Sequence, residues 1–226
     1  MNKTLIHTQF IEPPTEKELL GKIELAGRSC YQSFLNIGEG SAERFTRMII
    51  EKGHEAMLEH GGTITVRFIV DRGVSHEIVR SRVGFSFAQE STRYCNYNKE
   101  RLGGGDITFI SIEPMLNSNP AHSKEQIGEL LRVWTEAAET SEKCYNKMIE
   151  LGASPQEARS VLINSLKTDI VVSANPRAWR YFFRLRALGE AGTPHPQMLE
   201  ATIPLLKGFI ERWPVLFGDL KPENWG

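Results

Sequence analysis

The sequence predicts an α+β fold, a modest and mostly antiparallel sheet of about four strands with several helices, in a single domain over residues 1–226. Glu16–Ala26 and Ala42–Lys52 space their apolar residues by threes and fours, and Thr63–Val70 is rich in β-branched residues. No internal repeat or low-complexity tract points to a solenoid or a fibre.

Taken in order, Glu16–Ala26 and Ala42–Lys52 read as amphipathic helices around a loop holding Gly38 and Gly40, and Gly53 closes the second. Thr63–Val70 alternates partially and ends at Asp71-Arg72-Gly73, which makes it the clearest strand. A helix-like stretch, Val74–Val79, precedes a segment from Arg80 to Tyr97 with neither period, which reads as an ordered loop. Asp106–Ile112 is a short strand, and Met115–Ser123, with Asn117, Asn119 and Pro120, a connection. Ser123 caps a long helix reaching Leu151, its first turns acidic where the helix dipole favours negative charge. Gly152 ends it, Ser154 and Pro155 open a helix to about Asn164, and Lys167–Ser173 is a strand. Asn175–Leu188 and Pro196–Trp213 complete the helices.

Composition excludes several classes. Lys and Arg number 27 against 28 Asp and Glu, so the chain as a whole is no electrostatic glove for nucleic acid, and any anion site is local. Cys30, Cys95 and Cys144 have no paired spacing, which argues against a disulfide framework or a zinc knuckle and for reduced thiols. Met1–Phe10 lacks the apolar run of a signal peptide, and no segment approaches the roughly 20 apolar residues of a membrane helix. A cytoplasmic setting without membrane contact is expected.

Between Arg80 and Tyr97 three arginines, Arg80, Arg82 and Arg93, are threaded with Ser91, Thr92, Phe85, Phe87, Tyr94 and Tyr97. Guanidinium forks match phosphate oxygens, the hydroxyls add short donors, and aromatic faces suit a flat heterocycle, so the segment suits a nucleotide. The same mixture also occurs on solvated helix faces and at subunit interfaces; delivery of Arg80 and Arg82 from a rigid element favours the ligand reading.

Two further constellations stand out. His54 and His60 bracket Glu55 and Glu59, but helical metal ligands want separations of three or four, so no metal is expected. A polar loop in which His54 and Glu59 serve a ligand fits better. On a helix from Asn175, residues Trp179, Phe182, Phe183 and Arg186 share one side, which places Arg186 by an apolar wall where its charge requires an anion or carbonyl. Arg180 and Arg184 read as a solvated stripe, and Arg159 as an ordinary helical arginine. His195 and Gln197 either reach a ligand or cap the last helix.

With both arginine clusters in view, the chain resembles the flavin-dependent thymidylate synthases, which make dTMP from dUMP with FAD, NADPH and methylenetetrahydrofolate. That family's signature is Arg-His-Arg, about seven residues, then Ser, commonly followed by Arg-Tyr. Here it is Arg80-Ser81-Arg82, eight residues, then Ser91-Thr92-Arg93-Tyr94. The resemblance continues through Gly53-His54-Glu55, Glu59-His60, Arg159, Asn175-Pro176-Arg177, Leu185-Arg186 and His195-Pro196-Gln197. The chain departs from it at Ser81 for the histidine, one extra residue in the loop, Ala56 for a hydroxyl residue, and Tyr181 where some relatives have Asn.

Carried over, the resemblance implies that Glu77, Ile78, Val79, Arg80, Gln89, Glu90, Ser91, Thr92, Arg93 and Arg159 line a dUMP pocket, with Ser91, Arg93 and Arg159 on the phosphate. It implies FAD contacts from His54, Ala56, Glu59, Arg80, Ser81, Arg82, Gln89, Asn175, Arg177 and Tyr181, in sites shared within a homotetramer. Arg186 becomes the activating residue, its charge near O2 and N3 of the uracil favouring the electron-rich ring, with no cysteine nucleophile. None of the cysteines has an obvious neighbouring base, and Ser91, lacking one too, reads as a ligand donor. Two rivals stand beside this reading: an RNA-binding module, disfavoured by the balanced charge, and a catalytically impaired nucleotide- or flavin-binding homologue, for which Ser81 speaks.

Overall fold

The computed structural model describes residues 1–97 and 107–221; Asp106, where a strand was expected to begin, lies outside them. In chain order the first elements are β1 (Asn2–Thr4), β2 (His7–Ile11), α1 (Glu16–Tyr31), α2 (Ser41–Glu51) and β3 (Ile64–Asp71). Next come α3 (Arg72–Ile78), β4 (Phe85–Gln89), β5 (Thr108–Ile110), α4 (Glu113–Asn117) and α5 (Lys124–Glu150). The chain continues through α6 (Pro155–Ala158), β6 (Lys167–Ala174), α7 (Pro176–Arg186), α8 (Pro196–Arg212) and α9 (Pro214–Phe217).

An antiparallel sheet runs in the order β2-β3-β6-β4, and β1 pairs in parallel with β5, Asn2 opposite Thr108. The α+β expectation therefore holds. The chain gathers into two compact units, each assembled from separate stretches: residues 1–7, 68–80 and 88–170 form one, residues 8–67, 81–87 and 171–226 the other.

In the first unit Ile107, Phe109, Trp134, Ala138, Tyr145, Ala158 and Leu166 make a core on which α5 lies. Ser123 caps α5 as its sequence suggested, accepting from the Gln126 amide at 3.2 Å while the Gln126 side chain returns to Ser123 N at 2.8 Å. The buried indole of Trp134 donates to Ser165 Oγ at 3.0 Å, and Ser141 Oγ to the Val161 carbonyl at 2.8 Å, which ties the helix to the chain leading into β6. Along β6, Thr168, Ile170, Val172 and Ala174 are buried and their neighbours less so, the period of a half-buried strand.

In the second unit an aromatic stack of Trp179, Phe183, Phe209, Trp213 and Phe217, with neighbouring centroids 4.8–6.3 Å apart, packs α7, α8 and α9 together. Trp179 Nε1 reaches the Ile64 carbonyl at 3.0 Å and Trp213 Nε1 the Pro14 carbonyl at 2.9 Å, so neither buried donor is stranded. Helix α1 crosses α2 at Gly27, where a Cβ would lie 2.2 Å from the Phe45 ring; only glycine permits that approach.

Several local expectations are corrected. The Arg80–Tyr97 segment is no continuous loop: it contains β4, whose Phe85, Phe87 and Gln89 are half-buried while Ser86 and Ala88 are exposed. Five residues of alternation fall below what periodicity resolves from sequence. Residues Glu55–Gly61 form a 3₁₀ turn, the Met115–Ser123 connection contains part of α4, and the helix from Pro155 stops at Ala158 before a further 3₁₀ turn over Arg159–Val161. Helix α1 runs on to Tyr31, capped by Gln32 in a left-handed conformation.

Candidate functional site

The first unit holds the anion-binding half of the expected residues. Asp71 ends β3 and caps α3, accepting from the Val74 amide at 2.6 Å. That cap sends α3 off the strand with Arg72 and His76 one turn apart on it. Arg72 Nη1 donates to the Glu90 carbonyl and to Thr168 Oγ1, both at 3.3 Å. Gln89 Nε2 donates to Ser75 Oγ at 2.9 Å and Thr168 Oγ1 at 3.1 Å, so its amide hydrogens serve the protein.

After β4 the chain turns at Ser91, whose carbonyl accepts from Tyr94 N at 3.2 Å and Cys95 N at 2.9 Å. The turn tucks Thr92 inside, where its hydroxyl accepts from Arg159 Nη1 at 3.1 Å, and leaves Arg93 exposed over the Tyr94 ring. Arg72, His76, Thr92, Arg159, Ser160 and Asn164 line a pocket of about 230 Å3, backed by Leu162, Ile163 and Leu166. Its lining carries no acid. Two guanidiniums, donor-rich and without a carboxylate within ion-pair distance among the described residues, suit an anion.

Glu90 is held apart from that pocket's chemistry, its Oε1 accepting from Tyr97 OH at 2.8 Å and its Oε2 paired with Lys167 at 3.1 Å. Burial, and then the nearby Glu90 charge, push the Tyr97 phenol well above its usual range, so it stays a donor. Of the remaining expected residues in this unit, Glu77 and Val79 are half-buried and Arg80 is exposed. Ile78 is fully buried, leaving only its backbone for any ligand.

The second unit holds the other expected set, apart from Arg80 and Gln89 of the first, on three segments that meet at the start of α7. Asn175 caps that helix, accepting from Ala178 N at 2.9 Å. Arg177 pairs with Glu59 of the 3₁₀ turn. Gly84, at φ +79°, lies against Ala178 and Asn175, where a Cβ would stand 3.0 Å and 3.2 Å from their side chains, which brings in the 81–87 stretch. Ser81 is buried, while Arg82, His54, Ala56 and Tyr181 are exposed. His54 and Ala56 also border a pocket of about 520 Å3 between α1 and α2, lined by Phe45, Met48, Ile49 and Met57.

Arg186 is half-buried in the last turn of α7, with its carbonyl accepting from Thr202 Oγ1 of α8 at 2.8 Å. Arg180 was read as solvated, and the structure corrects this. It is fully buried, with Nη1 and Nη2 on the Asp219 carboxylate at 2.7 Å and 2.6 Å, Nη1 on the Leu216 carbonyl at 2.5 Å, and Nε on Glu55 at 3.3 Å. Arg184 shares Glu55 at 2.9 Å. The partners lie on distant stretches of chain, so helical spacing could not reveal them.

The aromatic faces expected to stack a ligand are also mostly occupied. Phe85 and Phe87 lie parallel to each other at 6.0 Å, Phe85 packs on Trp179 and Phe182, and Tyr97 meets Tyr145 edge-on; Tyr94 alone of the four is exposed. Sequence reading missed Arg72 and His76. Their separation by four residues was the available signal, obscured because Asp71-Arg72-Gly73 reads as a strand end.

A family profile described as thymidylate synthase complementing protein matches residues 15–210. The chain is 34% identical over 212 residues to the flavin-dependent thymidylate synthase of Corynebacterium aurimucosum, covering 92% of this chain and 82% of that one. Against the protein of the same name from Corynebacterium diphtheriae the identity is 31% over 217 residues, covering 92% and 80%. Among solved structures, the UMP/dUMP methylase PolB from Streptomyces cacaoi, bound with 5-Br dUMP, superimposes with a TM-score of 0.80 over 96% of both chains at 18% identity. That likeness is one of fold.

Proposed function

The chain belongs to the flavin-dependent thymidylate synthase family, and from that membership we propose that it is a methyltransferase converting dUMP to dTMP. The observation that carries the reading is the pocket beside the Ser91 turn, where Arg159 and Thr92 are already joined and no acid competes for an anion. The 5′-phosphate of dUMP takes that place, with Ser91 and Arg93 at its edge and the Glu77–Arg80 stretch and Gln89 lining the nucleotide.

The second unit's residues suit a flavin dinucleotide by their donor chemistry. Arg82, Arg177 and His54 are exposed, and Asn175, having capped α7 through its oxygen, makes no hydrogen bond with its amide nitrogen among the described residues. Glu59 holds Arg177, so a phosphate there exchanges one anion for another rather than meeting a bare charge. When bound, FAD would supply the hydride it had received from NADPH, and methylenetetrahydrofolate would supply the one-carbon unit. The protein's part is to orient the rings, exclude water and hold charge. Arg186, its backbone anchored through Thr202, sets a fixed positive charge near O2 and N3 of the uracil and stabilises the electron density that C5 needs for attack, without an enzyme thiol. The same membership supports a cytoplasmic homotetramer with shared sites, and the profile match spanning both units supports their acting as one domain.

Purified protein should carry a flavin spectrum and release tritium from C5-labelled dUMP when given NADPH and methylenetetrahydrofolate. Flavin binding without tritium release would favour the impaired homologue for which Ser81 speaks, and a colourless protein that flavin does not restore would count against both.

A further inference from the structure

We propose that Arg72 and His76, on consecutive turns of α3, complete the phosphate site with Arg159 and Thr92. This deepens the dUMP reading and rests on it. Neither residue belongs to the Arg80–Arg93 signature.

Arg72 donates from Nη1 to the Glu90 carbonyl and Thr168 Oγ1, contacts that fix the guanidinium and leave Nε and Nη2 for a ligand. Arg159 spends one hydrogen of Nη1 on Thr92 and keeps four. His76 adds an exposed imidazole, with no hydrogen-bond or ion-pair partner among the described residues, to the same lining. Half-buried Arg72 has no carboxylate within ion-pair distance among the described residues, and the pocket lining supplies none. A dianion with oxygens on several sides answers this arrangement, because the two guanidiniums reach it from different elements, Arg72 from α3 and Arg159 from the 3₁₀ turn. Leu162, Ile163 and Leu166 supply the apolar part of the same lining.

The test is binding by calorimetry of dUMP, deoxyuridine and inorganic phosphate to the full chain, with Arg72→Gln, Arg72→Lys and His76→Gln variants. Each Gln variant should weaken dUMP and phosphate about 10- to 100-fold, the size of one lost charge-assisted contact, and leave deoxyuridine unchanged. Arg72→Lys should recover part of the loss. A merely structural role for Arg72 would lower dUMP and deoxyuridine alike and overturn the assignment, as would undiminished dUMP binding in His76→Gln should Arg72→Gln not fold. Phosphate bound through Arg72 in a wild-type chain that ignores dUMP would instead overturn the dUMP reading and leave this site standing.

Discussion

Replacing Arg180 with alanine should cost the fold about 3–5 kcal/mol, the range for breaking a buried ion pair. The guanidinium is fully buried and bonded to Asp219, Glu55 and the Leu216 carbonyl. Its loss strands that carbonyl, worth about 1–3 kcal/mol. Asp219 is half exposed and rehydrates, so its share is about 1 kcal/mol or less, and Glu55 keeps Arg184. The vacated volume of the arginine stem adds roughly 1–2 kcal/mol. At about 2–4 °C per kcal/mol for a chain of this size, the midpoint of thermal unfolding should fall by roughly 6–20 °C. Followed by circular dichroism, Arg180→Met combined with Asp219→Asn should recover much of the loss, since an apolar replacement leaves no bare charge. A melt of Arg180→Ala within about 2 °C of wild type would refute the claim that this cluster ties α7 to the chain after α9.

Three further outcomes are expected. Arg186→Ala should lower turnover ~10²–10³-fold with the flavin absorbance retained, and near-normal tritium release would remove Arg186 from the chemistry. Gly27→Ala sets a methyl 2.2 Å from the Phe45 ring and should destabilise by about 1–3 kcal/mol in a denaturant titration; no change would mean that α1 and α2 separate freely. Burial pushes the Asp219 carboxyl up, but the hydrogen bonds and charge of Arg180 outweigh it and hold the group below its ordinary value. A depressed folded value stabilises above the unfolded one, near 3.9, and that stability is lost as pH falls through the folded value. Acid unfolding of Asp219→Asn should therefore be shallower than that of wild type below about pH 4, and parallel curves would contradict it.

Long periodic elements were legible. The Ser123 cap, the length of α5, the strand before Asp71 and the buried Trp179-Phe182-Phe183 face all follow from spacing and capping chemistry within one stretch of chain. Short elements were less so: β5 lies inside the strand expected over Asp106–Ile112, but its three-residue partner β1 was not foreseen, and β4 was hidden by arginines at its flank. The same division runs through the site. Arg159 and Thr92 were both marked by the family resemblance, yet their hydrogen bond, across 67 residues of sequence, was not.

By itself the sequence determined the longer helices, the fold class and which residue types carry charge to a ligand, because capping, turn and periodicity rules act over a few residues. The tertiary structure decided how each charge is used. Arg180 and Arg159 look alike in the chain as helical arginines, but folding surrounds one with Asp219, Glu55 and a carbonyl and leaves the other facing a pocket without acid. Whether a guanidinium holds a fold together or awaits an anion depends on which distant carboxylates the chain brings within about 4 Å, a matter of long-range contact rather than local pattern.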